Sequence, residues 1–249
     1  MWVKGAATSM KAILYVGHGT RSKNGVEEVR EFMGRIMERS DVPIQELCFL
    51  ELTDPPIEEG FLRCVERGAT EIIVVPLFLL AAGHIKEDIP KELALLKEKY
   101  PGISVKMKDA FGVHHKILDG MAELIRNTVP ELSAADSVLI VGRGSSDPGI
   151  HVAFSEIVSG IRDRLPVNHV SVCYLAAAKP SFDEGLEQIS QVTKGQVVVL
   201  PYLLFSGLLL SEVNHKVLKR QKQGQRIVHT GPLSKHRVIE DLIIEKASE

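Results

Sequence analysis

The chain has 249 residues, of which 45% are hydrophobic and 25% charged, a composition that predicts a folded protein and excludes a disordered one. Its formal net charge of -2 gives no general reason to expect a nucleic acid or an anionic membrane as a partner. The three cysteines form no C-x-x-C pair, which argues against a disulfide framework or a cysteine-ligated cluster and favours the reducing cytoplasm.

The first nine residues, MWVKGAATS, lack the continuous apolar region of a signal peptide. We expect residues 1–9 to form a disordered extension, because Met10 can serve as the working start. The longest apolar stretch, 72–83, is too short for a membrane-spanning helix and contains Pro76. The sequence therefore predicts no segment that crosses a membrane.

Strands and helices alternate along the first half. Runs of aliphatic and β-branched residues predict strands at 12–16, 44–49, 71–75 and 103–108. Apolar residues at helical spacing predict helices at 26–39, 57–67, 87–100 and 116–128. Strands that alternate with helices are typical of an α/β fold, in which helices cover both faces of a parallel sheet.

The second half repeats the first with a constant offset of 125 residues. The glycine pair Gly17 and Gly19 matches Gly142 and Gly144. The same offset relates Phe49-Leu50 to Tyr174-Leu175, Pro55 to Pro180, Gly60 to Gly185, Pro76 to Pro201 and Glu87 to Glu212. We therefore predict two tandem modules, 10–130 and 136–249, each a small open four-stranded parallel sheet, related by a pseudo-two-fold duplication.

Three chemically active side chains follow predicted strands of the first module. His18 comes after the first strand, Glu51 after the second, and His84 in the loop after the third. In open parallel sheets the ligand lies beyond the carboxyl ends of the strands. We therefore expect these three side chains to reach one rim of the sheet.

Each of the three also has an ordinary structural explanation. A glycine-rich turn often binds phosphate, His84 can cap the following helix, and Glu51 can be a solvated loop carboxylate. The repeat favours a functional explanation, because residues that maintain the fold should recur in both copies. The matching positions of the second module are Arg143, Ala176 and Leu209.

The motifs around these residues resemble a known family. They are VGHGTR (16–21), FLEL (49–52) and PLFLLAAGHIKEDIP (76–90), with VGRGSSDP (141–148) and VVLPYLLFSGLL (198–209) in the second module. Nearly the whole chain resembles the class II tetrapyrrole chelatases, specifically the two-module bacterial sirohydrochlorin ferrochelatases and their cobaltochelatase relatives. The resemblance implies insertion of Fe(II) or Co(II) into sirohydrochlorin, with His18 and His84 as metal ligands and Glu51 as the active-site acid.

The chemistry of metal insertion suits these residues. Neutral imidazoles bind Fe(II) and Co(II), and two of them leave coordination positions open for the incoming macrocycle. A histidine with a reference pKa near 6.5 can accept a pyrrole proton, and Glu51 can serve as a relay or a third ligand. The reaction needs no organic cofactor, because the divalent metal is itself a substrate.

Sirohydrochlorin is a largely apolar ring with many peripheral carboxylates, so its pocket should combine aliphatic walls with cations and hydrogen-bond donors. The candidate walls are Leu79, Leu80, Ala81 and Ala82 on one side and Phe205, Leu208 and Leu209 on the other. The candidate polar contacts are Arg21, Lys23, Arg143, Ser145 and Ser146. An ordinary core role for the aliphatic residues and a simple turn for the serines stay open as alternatives.

Two other functions stay open. A non-catalytic tetrapyrrole or metal carrier would have the same pocket, and turnover separates it from an enzyme. V-G-H-G-T-R also resembles a phosphohistidine loop, but histidine phosphatases carry an arginine directly before the histidine, where this chain has Gly17. We expect a monomer, because two fused modules can satisfy each other's pairing. An exposed loop pair is expected for His114 and His115, although they could feed metal to the site.

Overall fold

The computed structural model describes residues 9–249, so the predicted extension lies, apart from Ser9, outside the described residues. Two parallel sheets, β2-β1-β3-β4 and β6-β5-β7-β8, confirm the predicted α/β architecture. The strands are β1 Lys11–Gly17, β2 Ile44–Phe49, β3 Glu71–Pro76, β4 Ser104–Met107, β5 Ser137–Gly142, β6 His169–Tyr174, β7 Val197–Pro201 and β8 Ile227–His229. The α-helices are α1 Lys23–Glu38, α2 Ile57–Glu66, α3 Ile89–Lys99, α4 His115–Thr128, α5 Pro148–Arg162, α6 Phe182–Val192, α7 Leu208–Lys222 and α8 Val238–Ser248.

Two helices begin earlier than their apolar spacing predicts, and one predicted helix begins differently. The side chain of Ser22 caps α1 by accepting a hydrogen bond from Gly25 N–H, so the helix begins at Lys23 instead of at 26. In the second half the sequence predicts a helix over 211–220, and the observed helix starts three residues sooner, at Leu208. A π-helical turn, His84–Asp88, leads directly into α3, and His84 is thus the first residue of a helical turn and not part of a loop.

The repeat extends to unusual backbone geometry. Leu52 and its counterpart Ala177 both have positive φ, at 64° and 53°. Gly19 and Gly144 have φ values of 94° and 93°, a region that disfavours residues with a side chain. The same loop conformations therefore follow the central strand and its neighbour in both halves.

Helices and sheets alternate in five layers, with a central core between the two sheets and an outer core on the far face of each sheet. Alternate residues of each sheet point to opposite faces, so that Ile13 belongs to a central core and its neighbour Leu14 to an outer core. Helices α2 and α3 cover the outer face of the first sheet, and α6 and α7 cover the outer face of the second. Helices α1, α4, α5 and α8 lie between the sheets in one continuous apolar core.

The last helix of each half crosses to the other half. Helix α4 packs against β7, a strand of the second sheet, and α8 packs against β3 of the first. Exposed ion pairs join α8 to α1, with Arg39 contacting both Glu240 and Asp241. The predicted coverage of both faces is thus present, and each half supplies one covering helix to its partner.

The connection between the halves is held by Asp136. Its buried carboxylate accepts hydrogen bonds from the N–H and hydroxyl groups of Ser133 and from Gln196 N–H, at 2.7–2.9 Å. Burial raises the pKa of Asp136, but these hydrogen bonds outweigh burial and lower it overall.

In residues 9–249 the structure contains no helix that is both long and apolar enough to cross a membrane.

Candidate active site

The loop after β1 brings His18 against the loop after β2. Backbone hydrogen bonds join Leu50 N–H to Gly17 O and Glu51 N–H to His18 O, at 2.9 and 3.1 Å. A Cβ atom on Gly19 would lie 1.7 Å from the Glu51 carbonyl oxygen, so a side chain at this position would prevent the approach. The glycines that flank His18 therefore allow the two loops to pack closely.

Three potential metal ligands converge at this point. One donor atom each from His18, Glu51 and His84 all lie within 4.8 Å of one another. His18 Nε2 is 3.3 Å from Glu51 Oε1, and the two imidazole rings meet edge to face with centroids 4.9 Å apart. Parallel pairing of β1 with both β2 and β3 aligns the three strand ends, which brings together residues distant in sequence.

The second ring nitrogen of each histidine has its own partner. His18 Nδ1 lies 3.1 Å from Gly19 O, and His84 Nδ1 lies 2.7 Å from Asp88 Oδ2. A proton on each Nδ1 satisfies these acceptors and leaves the Nε2 lone pairs free for a metal. His18 Nε2 is buried and has no hydrogen-bond partner among residues 9–249, since its approach to Glu51 lacks hydrogen-bond geometry.

The environment keeps His18 neutral. Burial lowers the pKa of His18, the Gly19 carbonyl raises it, and the charge of Arg143 lowers it further. The net shift is downward, so the imidazole is deprotonated at neutral pH. A neutral imidazole is the form that binds a metal ion.

A cavity of about 570 Å³ opens beside these ligands between the two sheets. Of the predicted substrate contacts, the cavity lining contains Arg21, Leu80, Ala82, Arg143 and Ser145. Leu79, Phe205, Leu208 and Leu209 also line it. Ser146, Lys23 and Ala81 do not belong to the lining. The structure thus brings aliphatic side chains and two arginines around one space.

Sequence reasoning missed several residues around the ligands. Phe78 places its ring 6.2 Å from His18 and 6.3 Å from His84, and Leu52 lines the cavity beside Glu51. The sequence pattern places His84 in a loop and so does not pair it with Asp88, although their i, i+4 spacing is the spacing of contacts on a helix. The sequence offers no comparable signal for Phe78 or Leu52.

An ion pair between Lys86 and Asp147 spans the two halves next to the cavity. Lys86 lies on the π-helical turn that begins with His84, and Asp147 caps α5 just after the Arg143 loop. This ion pair therefore links the segment that carries a potential metal ligand to the loop that carries Arg143.

The remaining histidines lie outside the cavity lining. His114 caps α4 by accepting a hydrogen bond from Lys116 N–H and stacks on the exposed His115, with ring centroids 4.7 Å apart. The others absent from the lining are His151, His169, His215, His229 and His236.

The family model described as CbiX matches residues 12–128 and 137–249. A sirohydrochlorin ferrochelatase of Priestia megaterium is 43% identical, with the match covering 91% of this chain and 85% of the relative. A sirohydrochlorin cobaltochelatase of the same organism is 32% identical, covering 96% and 80%.

A solved structure, SirB from Bacillus subtilis with Fe3+, superposes with a TM-score of 0.85 at 31% identity, covering 96% of this chain and 94% of the other. Both halves match one family, and the relatives align along most of their length. The chain therefore belongs to the CbiX family.

Proposed function

We propose that this protein is a sirohydrochlorin chelatase, which inserts Fe2+ or Co2+ into sirohydrochlorin and releases two protons. The ferrochelatase and cobaltochelatase relatives support this reaction, as does the Fe3+ that accompanies the similar SirB structure. The metal ion is a substrate, and the proposed reaction involves no organic cofactor.

The observation that carries the proposal is the cluster of His18, Glu51 and His84 at an apolar cavity. Two imidazoles and one carboxylate form a ligand set of intermediate softness that suits Fe2+ and Co2+. Because a set of three leaves coordination positions open, the pyrrole nitrogens can bind the ion before the protein releases it. A closed cage of four strong ligands would hold the ion instead.

The same residues can receive the protons. When the metal moves to the macrocycle, the Nε2 lone pair of His18 becomes free. It then faces the reacting nitrogens, and it is neutral because burial lowers the pKa of His18. Glu51 is exposed and 3.3 Å from that nitrogen, so its carboxylate can pass a proton on to solvent. We assign His18 and His84 as metal ligands and Glu51 as ligand or relay.

The cavity supplies contacts of two kinds for the macrocycle. Leu80, Ala82 and the facing Phe205 contribute apolar surface for the ring. Arg21 and Arg143 are exposed at the lining and can pair with peripheral carboxylates, and Ser145 contributes a hydroxyl. We keep Ser146, which is exposed beside this loop, as a proposed substrate contact at the rim.

An anaerobic absorbance assay with sirohydrochlorin and either Fe2+ or Co2+ tests the proposal. The wild type should convert the macrocycle spectrum with multiple turnovers, and His18→Ala should abolish conversion because it removes a metal ligand. His215→Ala, an exposed histidine outside the cavity, is the matched control and should act like the wild type. Binding of sirohydrochlorin without turnover would identify a carrier, and chelator-resistant phosphate release would identify a phosphatase.

We also propose that the protein acts in the cytoplasm as a monomer. Cys48, Cys64 and Cys173 are buried free thiols, which is compatible with a reducing compartment. The cavity is lined by residues of both halves of one chain, so a second copy is not required to complete it. The proposed modules, 10–130 and 136–249, would then act as one unit.

A further inference from the structure

Residues 203–210, here called the facing segment, line the cavity from the second half of the chain. With the repeat offset of 125 residues, this segment is the counterpart of 78–85, which carries His84. Leu208 in the facing segment is 64% exposed, whereas Leu204 in the same segment is buried in the central core. The hydrogen bonds of its backbone show what else holds the segment in place.

Glu28 of α1 provides that anchor with both carboxylate oxygens. Ser206 N–H donates a hydrogen bond to Oε2 at 3.2 Å, and the Ser234 hydroxyl donates to Oε1 at 3.1 Å. Ser234 lies in a short 3-10 turn, Leu233–Lys235, and its N–H donates to Leu204 O at 2.9 Å. One side chain of the first half thus holds the facing segment and the turn behind it.

Two neighbours of Glu28 on α1 contact the same segment. A Cβ atom on Gly25 would lie 2.8 Å from Ser206 O, so the backbone approaches α1 closely at this glycine. The Phe32 ring meets the Phe205 ring edge to face, with centroids 5.1 Å apart. Positions 25, 28 and 32 have i, i+3, i+7 spacing and lie on one helix face, which serves as a continuous docking surface.

This combination of residues occurs in one half only. The corresponding positions of α5 are Ile150, Ala153 and Ile157, which have neither a carboxylate nor a glycine. Residues kept in only one copy of a duplicated scaffold are better explained by function than by packing. The facing segment is thus fixed on the helix that follows the His18 loop.

We propose that Glu28 is a positioning residue for macrocycle binding, which holds the facing segment at a fixed distance from His18 and His84. This inference rests on the proposed function. Loss of the carboxylate leaves the Ser206 N–H and the Ser234 hydroxyl to water, and the wall loses its polar attachment to α1. The metal ligands all belong to the first half and keep their positions.

Glu28→Ala and Glu28→Gln form the test pair. Glu28→Ala should raise both the KM and the Kd for sirohydrochlorin about fivefold or more, with the Kd for Co2+ within about twofold of the wild type. Glu28→Gln should restore the wild-type values, because its carbonyl oxygen accepts from Ser206 N–H and its amide donates to Ser234 Oγ. Glu27→Ala, an exposed neighbour, is the matched control.

Sirohydrochlorin binding is measured by absorbance titration without metal and with a chelator present, so turnover is not needed. Unchanged sirohydrochlorin affinity in Glu28→Ala would overturn the inference, as would equal losses of Co2+ and sirohydrochlorin affinity. If Glu28→Ala fails to fold, Ser234→Ala removes one of the two hydrogen bonds to the Glu28 carboxylate. A raised Kd for sirohydrochlorin in this variant supports the inference, and an unchanged Kd for sirohydrochlorin overturns it. A wild type that binds sirohydrochlorin but never inserts metal would contradict the proposed function instead.

Discussion

Removal of the Asp88 carboxylate should weaken metal binding, although Asp88 is not itself one of the proposed ligands. Its Oδ2 atom lies 2.7 Å from His84 Nδ1, which fixes the orientation of the ring and leaves Nε2 free to bind the metal. The negative charge also makes the imidazole a stronger ligand. Asp88→Ala removes both effects, whereas Asp88→Asn keeps an acceptor of the same shape and removes only the charge.

The exposure of Asp88 sets the size of the effect. Loss of a partner that orients a ligand typically reduces metal affinity about 10- to 100-fold, or roughly 1.4 to 2.8 kcal/mol. The Asp88 side chain is 55% exposed, and solvent screening places Asp88→Ala near the lower end, at about tenfold. Asp88→Asn should lose about threefold to fivefold, because a neutral hydrogen bond replaces a charged one.

Titration with Co2+, followed by the visible absorption of the bound ion, measures these affinities without the macrocycle. Glu87→Gln is the matched control, since it removes one negative charge from the same turn at an exposed position. An Asp88→Ala variant that binds Co2+ as tightly as the wild type would refute the reasoning. An equal loss in Glu87→Gln would show that net charge, and not the orientation of His84, controls affinity.

Arg143→Ala should raise the KM for sirohydrochlorin about tenfold with a smaller fall in kcat, because the proposed role of its guanidinium is to pair with substrate carboxylates in the ground state. An unchanged KM in steady-state kinetics argues against this contact. Gly19→Ala should lose both folding stability and Co2+ affinity, because the new Cβ would lie 1.7 Å from Glu51 O. Gly144→Ala meets a carbonyl oxygen at 1.8 Å in the other half and should lose stability alone, so equal Co2+ affinities in the two variants would contradict the prediction. Asp136→Asn should lower the free energy of unfolding by about 1–3 kcal/mol near neutral pH, as measured by urea denaturation. The pKa of Asp136 is lowered in the folded state, so this stabilisation is present above the ordinary value of 3.8. It is lost as the pH falls through the folded pKa. A stability difference between the wild type and Asp136→Asn that persists in more acidic solution would be inconsistent with this reasoning.

The sequence predicts the parts of the site that follow from strand order. Parallel strands place their carboxyl ends at one edge, and this rule alone brings His18, Glu51 and His84 to a common rim. The contact between Asp88 and His84 was not predicted, because it requires the π-helical turn that replaces the expected loop. Glu28 gave no signal either, since a glutamate near a helix start is ordinarily solvated.

The sequence predicts the elements of the fold but not how every helix packs. The repeat offset and the alternating pattern indicate two sheets with the observed kinds of elements, since periodicity reports how each segment is buried. The pattern of α4 shows an apolar face but carries no information about which sheet that face covers. Helix α4 packs against β7 of the second sheet, although the first sheet has a similar apolar surface. This contact is long-range, and the local sequence of the helix does not encode it.

The reciprocal crossing of α4 and α8 has a consequence for how such a chain can diverge. Half of this molecule on its own would leave the apolar face of its final helix unpaired, so it would need a second identical half, and every change would then appear twice. Covalent fusion removes that constraint along with the concentration dependence of pairing. One half is then free to specialise in metal chemistry while the other supplies the opposite wall.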